Sequence, residues 1–354
     1  MQHDLLLPIA DIVVNPWLII AVGFIGGILT GLLGVGGGLF ITPTLITLGI
    51  PPIIAVASQV NSMIGVTLTG YLTYKKNNDV DYPLGRIIIL GGLVGAAGGI
   101  YLLKWLGNSD TIKKLITVSY TFLIAMMAIL LFRQSTKNLA RLAALGPEDK
   151  PTSPAWITTF PFVHSFARSR LAISLIVLFS AGLINGLLIA ILGVGNGIFM
   201  MPVLIYFMGR ASPVSYGTTL LSSVILTMTS TFAHALYADF IDLILVALLS
   251  IGGALGGQIG VRYSYKLPRV YLGFAGSGMM MLMLIQVGLN FFFPELMSYT
   301  KDQNMELLKT DFHLWIRDFE STFPLLYAAA GIALSISLTY GFQFLKSMGK
   351  RLNF

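Results

Sequence analysis

Two glycine-rich decapeptides are the part of this sequence with the clearest chemical potential. Residues 34–43 read GVGGGLFITP and residues 193–202 read GVGNGIFMMP, so nearly the same pattern recurs after 159 positions. Glycine-rich loops bind phosphate in soluble proteins, but a phosphate loop reads GxxxxGK[ST] and a dinucleotide loop is followed by an acid that binds the ribose. Neither decapeptide has that lysine or that acid, which excludes both kinds of nucleotide site.

The glycines interrupt two apolar segments that would otherwise be long helices. After GVGGG only LFITPTLITLGI (39–50) remains, about 18 Å of helix against a hydrocarbon core of about 30 Å. We therefore predict broken-helix hairpins from 17–33 with 39–50 and from 171–192 with 198–209. Non-helical backbone inside a membrane faces either protein or a wet cavity. In a cavity, the free N–H groups at the helix starts would bind an anion, and glycine would permit its close approach.

Short polar residues open the helix that follows each hairpin and extend this predicted site. The predicted substrate-binding residues are Gly34, Gly36, Gly37, Gly38, Ser58, Gln59, Asn61, Ser62, Gly193, Gly195, Asn196, Gly197, Thr218, Thr219 and Ser222. Each polar side chain could instead cap a helix or bond between helices. Because Asn196 stands where the first copy has Gly37, we expect the site to be asymmetric. We expect His234 to be an interfacial residue rather than a proton carrier.

Composition identifies the environment that must position these residues. The chain is 55% hydrophobic and only 10% charged, whereas soluble domains average roughly 25% charged residues. Apolar segments recur at 17–36, 55–74, 87–103, 115–132, 171–192, 213–236, 243–261, 270–292 and 323–345. The sequence therefore predicts a polytopic membrane protein. The absence of cysteine excludes disulfides and thiolate metal sites, and with no basic residue before the first segment we expect no cleaved signal peptide.

The basic residues predict how the chain crosses the membrane. With the N-terminus outside, the inner loops hold 16 of the 22 Lys and Arg but only 4 of the 15 acids, as the positive-inside rule requires. Lys104, Lys113 and Lys114 are exceptions. Every charged residue fits in a loop or at a segment end, so the sequence offers no intramembrane proton relay. The expected location is the inner membrane, with a cytoplasmic C-terminus.

Sequence similarity extends beyond the decapeptides and predicts two homologous halves. Ala57-Ser58-Gln59 aligns with Gly217-Thr218-Thr219, Asp79 aligns with Asp239, and GGLVGAAGG (91–99) aligns with GGALGGQIG (252–260), where we expect the glycines to serve close packing. The first half begins outside and the second inside, which predicts inverted repeats with a substrate site where they meet. The predicted fold is all-α, with two inverted-topology repeats, glycine-rich broken-helix hairpins and an extra C-terminal transmembrane helix. The predicted domains are 1–133 (first repeat), 134–170 (cytoplasmic linker), 171–292 (second repeat), 293–322 (external loop, with a short amphipathic element) and 323–354 (C-terminal helix and cytoplasmic tail).

The segments GLLGVGGGLFITPTLITLGIPPIIAVASQ (31–59) and LGVGNGIFMMPVLIYFMG (192–209) resemble the sulfite exporter TauE/SafE family. The resemblance covers about 17–133 and 171–292 and departs from the family at Asn196, in the long central loop and in the 293–322 extension. It implies a transporter of small sulfur oxyanions or organosulfonates, such as sulfite, thiosulfate or sulfoacetate, usually exported.

The sequence thus predicts an anion transporter that works by alternating access, with a passive anion channel as the alternative. Helix termini and N–H donors could bind a compact anion without a formal counter-charge. A membrane enzyme is not expected, because no nucleophile motif or paired carboxylates occur. The expected partners are a small anion and the lipid bilayer, with no nucleic acid and no cofactor.

Overall fold

A computed structural model describes most of the chain. The described residues are 5–33, 37–106, 154–193, 197–208, 212–238, 241–264 and 311–351, with separate positions between 118 and 136 and between 278 and 285. The predicted apolar segment 115–132 is therefore described only in part, and 270–292 lies mostly outside the described residues.

The two halves contain the same elements in the same order. The first half consists of strands β1 (Leu5–Leu7) and β2 (Ile12–Val14) and helices α1 (Pro16–Leu33), α2 (Gly38–Thr47), α3 (Pro52–Lys76) and α4 (Tyr82–Leu106). After a 3-10 turn (Ala155–Thr158), the second consists of β3 (Val163–Phe166), β4 (Leu171–Ser174), α5 (Leu175–Leu192), α6 (Gly197–Met208), α7 (Pro213–Ala238) and α8 (Leu243–Ser264). Two further helices follow, α9 (Asp311–Thr322) and α10 (Pro324–Arg351).

This architecture is that of a helical, multi-pass membrane protein. Helices α3, α4, α5, α7 and α8 are long and apolar enough to cross a membrane, and α9 with α10 forms a sixth candidate, bent by 113°. Large side chains such as Tyr101 and Trp105 are more than 70% exposed on the outer face of α4, where lipid would contact them. Helix α9 (DFHLWIRDFEST) is strongly amphipathic, as predicted for the 293–322 segment.

Both predicted helix breaks are present. Helix α1 ends at Leu33 and α2 begins at Gly38; α5 ends at Leu192, where Gly193 adopts a left-handed φ of 63°, and α6 begins at Gly197. Each short helix then packs back along the helix before it. Leu45 of α2 shares a buried cluster with Ile19 of α1, and the cluster around α5 likewise contains residues of α6.

The glycine-rich segments of α4 and α8 pack directly on helices of the other half. A Cβ added at Gly95 of α4 would strike the carbonyl of Leu183 in α5, and one at Gly256 of α8 would strike the carbonyl of Phe24 in α1. The backbones of α4 and α5, and of α8 and α1, are therefore in contact, which only glycine permits. The packing predicted for GGLVGAAGG and GGALGGQIG is confirmed.

Helices α3 and α7 cross antiparallel at the centre of the protein. Gly70 near the end of α3 meets Leu220 near the start of α7, while Ala57 near the start of α3 clusters with Ala235 near the end of α7. Helix α10 packs on α3, α7 and α8. This packing sets Gln59 and Asn61 of α3 level with residues 230–234 of α7.

The sequence analysis did not predict the two small β-hairpins that precede α1 and α5. Strand β1 pairs with β2, and β3 with β4, both antiparallel. Segment 171–192, expected to be helical throughout, begins with strand β4, and α5 starts at Leu175. Strands of three or four residues are too short to produce a recognisable alternation of polar and apolar residues, and they gain stability from the helices on which they pack.

The backbone contact between α4 and α5 can be tested with two valines on the same helix. Gly95→Val would strike Leu183, whereas a Cβ at Gly98 meets no atom within 4 Å. We expect Gly95→Val to lower stability by about 3 kcal/mol or to prevent folding, because overpacking of a tight contact is costly, and Gly98→Val to have little effect. Fluorescence-detected size-exclusion chromatography after graded heating measures both, and equal stability of the two variants would contradict the packing.

Candidate functional site

The predicted polar residues of α3 and α7 all lie inside the protein. Ser58, Gln59 and Asn61 have no exposed surface and Ser62 is 3% exposed. Their counterparts on α7 are equally covered, since Thr218, Thr219 and Ser222 are at most 1% exposed. Buried polar atoms are costly unless they are hydrogen-bonded, so their partners indicate what each does.

Four of these hydroxyls take part in matching hydrogen bonds in the two halves. Ser62 donates to the carbonyl of Gln59, and Ser222 donates to that of Thr219. Ser58 accepts the N–H of Asp242. In the equivalent position, Thr218 accepts the N–H of Asp81. These hydroxyls therefore stabilise the protein in the described structure.

Asp81 and Asp242 form two equivalent buried junctions that the sequence analysis missed. One oxygen of Asp81 caps α4 by accepting the N–H of Leu84, and the other accepts the N–H of Ser169 from the turn between β3 and β4. Asp242 caps α8 at Ile244 and Leu245 and accepts the N–H groups of Ile9 and Ala10 from the turn between β1 and β2. Burial raises the pKa of the Asp242 carboxyl, and these backbone donors act in the opposite direction.

The sequence contained a signal for this pair. Asp81 and Asp242 are related by the offset of 161 that aligns the glycine segments of α4 and α8, whereas the alignment above paired Asp79 with Asp239 at offset 160. Asp239 lies outside the described residues. The helix-capping position before each glycine-rich helix would have identified the correct pair.

Other buried polar atoms have no hydrogen-bond partner among the described residues. They belong to the side chains of Thr42, Gln59, Asn61, Ser230, Thr231 and His234. Five of the six residues lie where the first half of α3 passes the last part of α7, and Thr42 is on α2, which packs on α3. We call this set the polar belt. Gln59 is the extreme case, because both atoms of its amide are unpartnered.

The end of α5 brings the polar belt next to the second glycine-rich break. His234 bonds to the backbone carbonyl of Ala190, and Ile189 packs with Val60 of α3. A Cβ on Gly193 would contact Val56 of α3. Gln59 lies between Val56 and Val60 in sequence, so the last turn of α5 packs on the turn of α3 that carries Gln59 and also bonds His234.

His234 is not the interfacial residue that the sequence led us to expect. It is 1% exposed and faces the neighbouring helix α5 from within the bundle. A single histidine two residues from the end of an apolar segment looks interfacial in sequence, because the carbonyl it bonds comes from a helix that is remote in the chain.

Helix α10 borders the polar belt at Asn61, a contact that the sequence did not indicate. The side-chain nitrogen of Asn61 lies against Gly331, where a Cβ would strike it. The hydroxyl of Ser335 lies 3.3 Å from the side-chain oxygen of Asn61 and 3.2 Å from the hydroxyl of Ser250 on α8. Asn61 is thereby held between α3 and α10.

The predicted glycines fall into described and undescribed groups. Gly34, Gly36, Gly195 and Asn196 lie outside the described residues. Gly37 immediately precedes α2 and packs on the carbonyl of Gly26, about 15 Å along α1 from its start. Gly38 and Gly197 are the first residues of α2 and α6. Gly193 needs its left-handed backbone and its contact with α3, so packing accounts for this glycine and for Gly37.

Comparison with known proteins gives a consistent result. The family profile described as sulfite exporter TauE/SafE matches residues 19–287. The chain is 24% identical over 258 residues to the probable membrane transporter protein YunE of Bacillus subtilis (strain 168), covering 71% of this chain and 89% of that protein. It is 24% identical over 256 residues to the probable membrane transporter protein YdhB of the same organism, covering 72% and 93%. No solved structure matches with significant similarity.

The junction at Asp242 can be tested by removing its carboxylate. Asp242→Ala leaves the N–H groups of Ile9, Ala10, Ile244 and Leu245 without their acceptor, so we expect a loss of about 3 kcal/mol. Asp242→Asn keeps one acceptor oxygen and should cost less. Asp318→Ala removes an exposed carboxylate from α9 and is the matched control. Thermal unfolding in detergent measures the melting temperature of each of the three variants. Equal melting temperatures of Asp242→Ala and the control would refute the assignment.

Proposed function

Because the chain belongs to the sulfite exporter TauE/SafE family, we propose that it transports small anions, most simply sulfite, thiosulfate or an organosulfonate, out of the cell across the inner membrane. Membership of the family and the named relatives establish a membrane transporter. The substrate class, the outward direction and the location are our proposal. The relatives are named as transporters, which agrees with a protein that moves its substrate without chemical change.

One observation carries the proposed site: Gln59 is fully buried, and neither its amide oxygen nor its amide nitrogen has a partner among the described residues. A buried amide without partners loses its hydrogen bonds to water and gains none in return. An anion beside Gln59 would accept from the amide nitrogen, while Ser230 and Thr231 could supply further donors. We propose that the anion binds in the polar belt, next to Gly193 and the start of α6, where Gly195 and Asn196 also lie in sequence.

We further propose that the two halves are inverted repeats and that transport proceeds by alternating access. The matching order of elements, the equivalent bonds of Ser58 and Thr218, and the antiparallel crossing of α3 and α7 support this. In inverted-repeat transporters the substrate lies where the repeats meet, and the helices that bind it are discontinuous. Hairpins that fold back on themselves, as α1 with α2 and α5 with α6 do, place such breaks inside the membrane.

A passive anion channel of the same fold is the alternative. A channel needs a continuous wet path, whereas Gln59 and Asn61 have no exposed surface, which favours a site closed on both sides. Saturable flux without steady electrical conductance would distinguish the transporter from the channel.

The proposed site can be tested by measuring flux with one matched pair of substitutions. In proteoliposomes carrying radiolabelled sulfite, thiosulfate or sulfoacetate, we expect saturable flux that Gln59→Leu lowers at least about tenfold, since a hydrogen bond to a charged ligand contributes more than 1.4 kcal/mol. Gln258→Leu makes the same change at a half-buried position on α8 and should leave flux unchanged.

Equal flux in the two glutamine variants would remove Gln59 from the site. Asn196→Leu and Gly36→Leu, measured in the same vesicles, test the two glycine-rich breaks. No flux of any of the three anions in the wild-type protein would contradict the substrate class.

The proposed orientation can be tested with single cysteines, because the chain has none of its own. Ser321 in α9 and Ser165 in β3 are both exposed, and the charge distribution places the first outside and the second in the cytoplasm. A membrane-impermeant maleimide should label Ser321→Cys in cells whose outer membrane alone is permeable. Ser165→Cys should react only after the inner membrane is opened, and the reverse pattern would invert the topology.

A further inference from the structure

The polar belt contains one side chain that can take up a proton to become a cation, and that side chain is His234. We infer that His234 is a protonatable ligand of the transported anion, so that a proton binds and moves with the anion. This inference rests on the proposed function and on the polar belt as its site. It adds a residue and a coupling ion that neither the glycine-rich breaks nor the family match assigns.

The bonding of the imidazole ring leaves one nitrogen available. His234 donates one ring N–H to the carbonyl of Ala190, while its Nε2 is buried without a partner among the described residues. In the neutral ring Nε2 therefore carries a lone pair, which cannot bind an anion. After taking up a proton from water, Nε2 becomes an N–H donor on a cation. The same atom thus repels an anion in one protonation state and binds it in the other.

The position of His234 places this atom beside the other belt residues. The last turn of α5 bonds His234 through Ala190 and packs on α3 on either side of Gln59. Ser230 and Thr231 lie one turn before His234 on α7. Ser230, Thr231 and His234 therefore share one face of α7, next to the last turn of α5, which also packs on the turn of α3 that carries Gln59.

The elements packed against α7 supply no other charge at this position. Their described ionisable side chains are Tyr71, Tyr74, Lys75 and Lys76 of α3, Tyr82, Arg86, Tyr101 and Lys104 of α4, Tyr206 of α6, Asp242, Arg262 and Tyr263 at or on α8, Arg317, Asp318 and Glu320 of α9 and Tyr327 of α10. Those of α3, together with Arg86, lie at the opposite end of the α3–α7 crossing, where Gly70 and Gly85 meet Leu220 and Leu221.

The remaining ionisable groups on the His234 side of the crossing are either exposed or accept backbone N–H groups. Tyr101 is 71% exposed. Lys104 on the same helix is exposed, and Arg317 of α9 is exposed and lies 4.0 Å from the carboxylate of Asp11. Asp242 and Glu320 accept backbone N–H groups, from Ile9 and Ile241 respectively. An anion in the polar belt would therefore have no nearby described cation unless His234 is protonated.

Only one half of the protein has this arrangement. At the offset of 160 that relates α3 to α7, His234 corresponds to Tyr74, which stacks on Tyr216. Gln59 corresponds to Thr219, whose hydroxyl lies 4.0 Å from the sulfur of Met201. The equivalent place in the other half thus has an aromatic pair and a thioether contact instead of an unpartnered amide and imidazole. We therefore expect proton-linked binding at one of the two related positions and not at the other, which makes the site asymmetric.

A compact anion entering a water-free bundle needs a counter-charge, because burying an unpaired charge is strongly unfavourable. Protonation of His234 supplies it, and the pair crosses the membrane with one charge less than the anion alone. Coupling between two ligands is reciprocal. We therefore expect thiosulfate to bind more weakly as pH rises, by about tenfold per pH unit once His234 is neutral in the free protein.

The direct test is nitrogen NMR of the protein, labelled with ¹⁵N-histidine, in lipid nanodiscs. The chain has four histidines, and His234→Gln assigns the signals of interest. Near neutral pH we expect thiosulfate to convert the His234 signals from the neutral ring to the imidazolium form, while those of the exposed His164 stay unchanged. Thiosulfate is a suitable probe because it does not itself take up protons in this pH range. His234 signals that stay neutral with saturating thiosulfate would overturn the inference.

A transport measurement separates this inference from the proposed function. In vesicles loaded with a pH-sensitive dye, wild-type thiosulfate flux should carry protons. His234→Gln should abolish or uncouple proton movement, whereas His164→Gln should not. Thiosulfate flux that moves no protons and is unaffected by His234→Gln would overturn the inference but not the proposed transport function. Absence of any flux overturns the proposed transport of thiosulfate, and the NMR result then decides alone whether His234 binds the anion.

Discussion

The structure depends on the contact of bare helix backbones in two equivalent pairs, α1 with α8 and α4 with α5. The hydrophobic effect does not drive helices together inside a membrane, since lipid is as apolar as leucine. Van der Waals contact between the helices must do so instead. Glycines on α4 and α8 let the partner helix approach until a single added Cβ would strike its backbone. Each pair joins one half of the chain to the other, so the interior between them, where α3 and α7 cross, is enclosed by both halves.

Much of this could be predicted from the sequence because it depends on local properties. Apolar length predicts the helices, twelve residues are too few to span a membrane, and glycine spacing indicates close packing, so the breaks near Gly37 and Gly193 and the packing of residues 91–99 and 252–260 were found in advance. The polar belt was only half predicted. Gln59 and Asn61 attracted attention as polar residues at a helix start, but the lack of partners for Gln59 depends on which distant side chains reach it.

What the sequence could not show involves contacts between distant segments. The β-hairpins have strands too short for a recognisable pattern and are held by Asp81 and Asp242, which are remote from them in the chain. The buried position of His234 depends on a carbonyl of α5. The surroundings of Asn61 include α10, a helix that follows both halves in the chain. In each case the partner is specified by the fold rather than by neighbouring residues.

The junctions at Asp81 and Asp242 have a mechanical consequence. Asp242 ties the hairpin before α1 to the start of α8, and α1 packs along α8, so these elements form one stiff body assembled from both halves. Asp81 does the same for the second hairpin, α5 and α4. Any rocking motion would therefore swing two composite levers, each containing pieces of both halves of the chain, about the α3–α7 crossing as a fulcrum. A cross-link within a lever should leave such motion free, while one between the levers should arrest it.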